Sequence, residues 1–265
     1  MKYLIPLSYL FTSRLKTMHE KISWMIIYPL FLLLACILYE GNILFLTLAF
    51  LLTMSIYEIG YLDNDFRTVI AEVNPTIRCN EERNLISNNL KAILASRIIY
   101  STAIIVFFFR KLDNSEFIKL SLLLVLLSLG FYLHNSIRSR WNIFTYITIV
   151  SCRYVIPLLA SINIGLGLTI FVIIIFPMIR TIEHSCKNKY NLPLIRKIVT
   201  EPDAFRVKSY GLIFIVSLLI FVGVGEYRFL ILSAYFLLYR IATKYMADKK
   251  IANRVQHESY KWKDK

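Results

Sequence analysis

The chain has 265 residues; 57% are apolar and only 18% charged, yet the net charge is +14. That balance excludes an ordinary soluble domain and a disordered polyelectrolyte, and fits a polytopic membrane protein. No Gly-rich phosphate loop, tandem repeat or nucleic-acid-binding module accompanies the basic surplus, so it reads as membrane topology and attraction to anionic lipid rather than to nucleic acid.

In hydrocarbon every backbone amide must find its partner within the segment, so long uncharged runs are helices. The expected fold is all-α, a polytopic transmembrane bundle of about eight spans. In chain order these are Ser23 to Tyr39, Ile43 to Leu62, Ala92 to Phe109, Phe117 to Leu133, Trp141 to Ser161, Asn163 to Ile179, Tyr210 to Gly225 and Tyr227 to Met246. The short joins at 40–42 and 162–163 force antiparallel hairpins. Residues 1–22 form an N-terminal segment, 23–246 the transmembrane domain and 247–265 a basic tail.

The N-terminal run Tyr3 to Phe11 is followed by Arg14 and Lys16 without a small-residue cleavage site, which argues against a cleaved signal peptide. An interfacial helix on the inner leaflet is expected, with Arg14, Lys16 and Lys21 facing anionic head groups. Lys and Arg concentrate in 1–22, 62–91, 134–140, 180–209 and 241–265, whereas the opposite ends hold only Arg110, Lys111, Lys119 and Arg228. By the positive-inside rule both termini are cytoplasmic and the protein lies in an inner, cytoplasmic membrane. The tail, rich in lysine from Lys249 onward, reads as a solvated helix along anionic lipid. Cys36, Cys79, Cys152 and Cys186 are scattered, with no zinc or redox spacing.

Two cytoplasmic loops carry chemistry. At the foot of the second span, Tyr57, Glu58, Tyr61, Asn64 and Asp65 recur at helical spacing and share one face if the helix continues. Glu58 and Asp65 then stand about two turns apart, an arrangement suited to a hard cation such as Mg²⁺ held against substrate phosphates. Glu58 ends a long uncharged stretch, and an ionisable group at that depth is costly unless it faces a wet cavity. Gly60 permits close backbone approach. Downstream, Asn74, Pro75, Thr76 and Arg78 offer an amide, a rigid turn, a hydroxyl and a guanidinium for phosphate oxygens. Arg67 and Arg83 read as topology residues.

The second loop begins with Arg180, Glu183, His184, Lys187 and Lys189, a carboxylate among cations. It is expected on the same side of the membrane as Glu58 and Asp65. Arg180, Glu183 and Lys187, at steps of three and four, also fit a surface ion-pair ladder. Of the arginines inside spans, Arg97 can snorkel, and Arg153, beside Pro157, is expected to face the bundle interior and to pair with a polar group or a substrate phosphate.

Two polar cytoplasmic loops after the second and sixth spans resemble the UbiA superfamily of isoprenoid transferases. Its first signature, Asn-Asp-x-x-Asp-x-x-x-Asp, falls on Tyr57, Glu58, Tyr61 and Asp65, with the loop proline at Pro75; only Glu58 and Asp65 keep acids. Its second, Asp-x-x-x-Asp, falls on Glu183 and Lys187, one acid having become lysine. Typical members have nine spans.

The resemblance implies a Mg²⁺-dependent prenyltransferase acting on an isoprenoid phosphate or diphosphate and a small-molecule acceptor. Glu58, Asp65 and Glu183 would hold metal, and Glu58, Asp65, Glu183 and Lys187 would form the catalytic set. Asn74, Thr76, Arg78 and Arg180 would bind phosphate. The departures resemble a divergent branch of bacterial cell-surface polysaccharide pathways, in which superfamily members move phosphoribose from a phosphoribosyl donor onto polyprenyl phosphate. The remaining reading is a non-catalytic membrane protein, either a lipid-binding subunit or a transporter.

Overall fold

The computed structural model describes residues 2–71, 77–137 and 139–249, apart from the side chains of Ile70, Ala71 and Asn188. Among the described residues every regular element is helical. Seven helices are long and apolar enough to cross a membrane, and the chain is an all-α, multi-pass membrane protein. It divides into two compact units, 1–164 and 165–265, within what the sequence suggests is one continuous domain.

The first unit contains α1 (Ser8–Ser13), α2 (Met18–Leu38), α3 (Ile43–Phe66), α4 (Arg83–Asn88), α5 (Leu90–Lys111), α6 (Asn114–Ser136) and α7 (Asn142–Ser161). Starts are set by side-chain caps: Thr17 and Glu20 form a reciprocal capping box, Asn42 accepts from the Phe45 amide, and Asp113 accepts from the Glu116 amide. α3 is the hub, packing against α2, α5, α6 and α7. It buries Thr53, Ser55, Tyr57, Glu58 and Asp65 together with Leu52 and Met54. Its neighbours turn apolar side chains outward: Ile99 on α5 is 66% exposed and Leu122 on α6 is 64%. That is the pattern of helices solvated by lipid, which need not hide their apolar faces.

Two of these helices contain a proline. Pro29 sits in a π-turn, Ile26–Leu30, inside α2, and Pro157 lies within α7. A proline cannot donate to the carbonyl four residues back, so each leaves a carbonyl that must find another donor. At the far end of the hairpins the chain is tightly closed. A Cβ on Gly41 would stand 2.1 Å from Ile162 Cγ2 and 2.8 Å from the Ser161 carbonyl, so only glycine allows this contact.

The second unit contains α8 (Leu166–Ser185), α9 (Pro193–Ile198), α10 (Pro202–Val224) and α11 (Tyr227–Asp248). α8 repeats the distortion of α2, with Pro177 in a π-turn, Ile174–Met178. α10 and α11 form a hairpin through Gly225, whose φ of 76° closes α10 in the left-handed conformation that glycine tolerates. Phe171 stacks on Phe229 at 4.4 Å, and Tyr210 stacks on Phe236 at 5.1 Å.

α11 matches the eighth expected span in position and length, but it is not among the seven apolar enough to cross. Arg228, Arg240 and Lys244 dilute its apolar run. The helices also outrun several expected ends. α3 continues to Phe66, α8 to Ser185, and α10 begins at Pro202.

Candidate functional site

Continuation of α3 to Phe66 puts Glu58 and Asp65 on one buried face, as the spacing predicts. What they meet is the N-terminal segment. Glu58, fully enclosed, accepts from the backbone amides of Leu10 at 2.8 Å and Leu7 at 3.0 Å, and from Arg97 Nε at 2.7 Å. Arg97, from α5, is equally enclosed and uses every nitrogen. Nη1 donates to the Leu4 carbonyl and Ser96 Oγ, and Nη2 donates to the carbonyls of Tyr3 and Ile5, all within 2.8–2.9 Å. Arg97 therefore does not snorkel; its guanidinium ties the N-terminal backbone to α3.

Asp65 is bound by the same segment. Arg14 Nη2 reaches both of its oxygens at 2.9 and 2.8 Å, Tyr9 Oη donates at 2.7 Å, and Asn64 Nδ2 donates at 3.0 Å. The expectation that Arg14 lies on lipid head groups is thus corrected: it turns inward, and only Lys16 of the three cations is exposed. Tyr9 and Leu10 are core residues. Burial and the Asp65 carboxylate push the Tyr9 hydroxyl well above its usual range, so it remains a donor. Leu7 adopts φ 75°, which a branched side chain resists, and Glu58 receives its amide there.

The remaining polar groups of this end are also engaged. Asp63 takes Arg67 Nη2 at 2.9 Å and Asn135 Nδ2 at 2.8 Å. Arg83 donates to the Asp65 carbonyl at 3.0 Å and covers Phe66, in keeping with a structural role. Phe131 lies directly on Gly60, where a Cβ would come within 2.2 Å of the ring. Tyr61 carries the Arg14 guanidinium on its face at 4.5 Å. Arg78 is half-buried in the stretch before α4, while Asn74, Pro75 and Thr76 lie outside the described residues.

Higher in the first unit, Arg153 of α7 is surrounded by Tyr28 at 4.0 Å, Tyr57 at 5.4 Å and Trp24 at 5.8 Å, measured from Cζ to each ring centroid. Local chemistry explains the enclosure. Pro157 cannot donate to the Arg153 carbonyl, and Tyr28 Oη does so instead at 3.0 Å. Tyr57 Oη donates to the Ile149 carbonyl at 2.7 Å, and Tyr154 Oη to the Ile27 carbonyl at 2.7 Å, in the π-turn of α2. The expectation for Arg153 holds for its direction, toward the interior; its neighbours are ring faces.

The second unit has its own charged cluster. Glu183 is buried at the end of α8 and bonds Arg206 of α10 through both oxygens, with Nη2 at 2.9 Å; Arg180 Nη1 approaches the same carboxylate at 2.8 Å. Asp203 holds Arg206 from the other side at 3.0 Å. The sequence gives Arg180 and Glu183 as neighbours but not Arg206, whose only signal is its place in the first turns of a span after the Glu201 cap.

Among the described residues Lys187 forms no ion pair; burial, then Lys189 and Arg180, draw its pKa down to about 8. His184 Nε2 meets Tyr190 Oη at 2.8 Å. All four cysteines are free, and burial pushes the Cys186 thiol up to about 11, which keeps it protonated.

Magnesium does not fit these carboxylates as they stand. Both oxygens of Glu58, Asp65 and Glu183 already accept from arginine or from backbone amides, and a metal would have to displace those donors. Among the described residues no three His, Cys, Asp or Glu side chains are grouped to hold a metal. No protein-family model matches the chain, and neither does any characterised protein or solved structure compared with it.

Proposed function

We propose that the protein is a membrane transferase of UbiA-like type that takes an isoprenoid phosphate or diphosphate, with the phosphate charge met by protein cations, chiefly Lys187 and Arg180. The observation that supports this most directly is Lys187. A half-buried ammonium among like charges gains from an anion, and a phosphate beside it restores its proton affinity. Arg180 keeps a planar fork partly exposed, at 37%, while one nitrogen holds Glu183. In prenyl transfer these cations stabilise the departing diphosphate while the allylic carbon is captured by an acceptor. In phosphoribosyl transfer the polyprenyl phosphate is the nucleophile and the same cations orient it.

The distribution of Lys and Arg supports an inner, cytoplasmic membrane with both termini inside. That topology needs an even number of crossings and so counts α11 as the eighth.

A second reading follows from the closed carboxylates: a protein that binds isoprenoid phosphate without transferring it. Purified protein in lipid nanodiscs is incubated with labelled prenyl diphosphate, or with labelled phosphoribosyl diphosphate plus polyprenyl phosphate, with Mg²⁺ and with chelator. Label entering the acceptor or the lipid supports the transferase and identifies the branch. Saturable binding without transfer selects the second reading, and neither binding nor transfer refutes both. Binding through Lys187 should weaken as pH rises past about 8, where the amine becomes neutral.

A further inference from the structure

We propose that Arg153, with Trp24, Tyr28 and Tyr57, forms a binding site inside the first unit for the phosphate headgroup of an amphiphile.

Arg153 lies midway along α7, within a membrane-length helix. An ionisable group at that depth is retained where it pairs or works. Among the described residues no carboxylate pairs with it, although the same unit neutralises Arg97 with Glu58 and Arg14 with Asp65. Its Nε is buried without an acceptor, and so is Nε1 of Trp24, a side chain 94% enclosed whose ring borders the same guanidinium. Two buried N–H donors in one cluster lack the same thing, an acceptor.

The surrounding tyrosines do not supply it to Nε. Tyr28 and Tyr57 each donate their hydroxyl hydrogen to a backbone carbonyl and present ring faces to the cation, and although Tyr28 also hydrogen-bonds the Arg153 side chain, Nε keeps no acceptor. Arg153 as a residue is half-buried, whereas its Nε is enclosed.

An oxyanion with several acceptor oxygens satisfies a forked guanidinium and an indole N–H together. The apolar walls formed by Trp24, Tyr28 and Tyr57 favour one that carries a hydrocarbon tail over a free, strongly hydrated ion. This inference concerns the first unit alone and needs no transfer step, so it stands or falls independently of the transferase reading.

The test uses the full chain in detergent micelles with Trp141→Phe and Trp262→Phe, leaving Trp24 as the reporter. Farnesyl phosphate, farnesol and inorganic phosphate are titrated separately. Farnesyl phosphate should change Trp24 emission saturably and bind at least tenfold more tightly than either of the others. Arg153→Gln should abolish that preference, and Arg153→Lys, which keeps the charge but not the fork, should weaken binding severalfold. Farnesol or inorganic phosphate binding as tightly as farnesyl phosphate overturns the proposal, as does an undiminished affinity in Arg153→Gln. If Arg153→Gln does not fold, an unchanged dissociation constant in Arg153→Lys overturns it.

Discussion

Replacing Glu58 by glutamine separates a ligand-binding carboxylate from a structural one. In the structure Glu58 is fully enclosed and accepts three hydrogen bonds, two from N-terminal amides and one from an equally enclosed Arg97. Glutamine keeps one acceptor oxygen, but its amide nitrogen would face an N–H donor and leave the Arg97 charge without a counter-ion. Breaking one side of a buried ion pair costs about 3–5 kcal/mol. Glu58→Gln should therefore lower unfolding free energy by that amount, measured by denaturation in mixed micelles.

Because Arg97 also holds the carbonyls of Tyr3, Leu4 and Ile5, the N-terminal segment should loosen first, seen as faster tryptic cleavage at Arg14 and Lys16. Arg97→Gln should be at least as damaging. The double variant should cost less than the sum of the two by at least about 1.5 kcal/mol, since both singles remove one interaction. A Glu58→Gln protein within about 0.5 kcal/mol of the parent, with unchanged cleavage, would refute the latch and return Glu58 to the role of a free ligand.

Asp65→Asn should cost about 1.5–3 kcal/mol, because Arg14 loses a charge-assisted bidentate acceptor, and its mark is selective cleavage at Arg14; an uncleaved, fully stable variant contradicts this. Gly60→Ala should cost about 1–3 kcal/mol, since Phe131 must leave its seat on the backbone, and adding Phe131→Leu should recover part of the loss in the same denaturation assay. For Lys187, the folded-state value near 8 lies below the usual 10.5, so the unfolded chain binds more protons between those values and stability rises with pH across that window. The difference between parent and Lys187→Met unfolding free energies should shrink by about 1–3 kcal/mol from pH 7.5 to 10, the variant being the more stable at pH 7.5; a pH-independent difference rules out the shift.

Composition and run length alone determine the class of this protein, because hydrocarbon leaves a backbone no alternative to the helix. The same reading places eight spans, seven of which the structure gives as helices apolar and long enough to cross a membrane, and the shared buried face of Glu58 and Asp65, both consequences of local periodicity. It also singles out Glu58 and Arg153 as residues too deep to be idle. It does not reveal that Glu58 meets Arg97 thirty-nine positions away, that Tyr3, Tyr9 and Leu10 enter the core, or that Arg206 closes on Glu183. Those pairings depend on which helix faces meet, and 3.6-residue periodicity says which side of a helix is buried but not what lies against it. The tertiary structure therefore turns the acids from expected metal ligands into acceptors for arginine. A carboxylate in a low-dielectric interior takes the nearest available cation, and here the fold itself brings one to each.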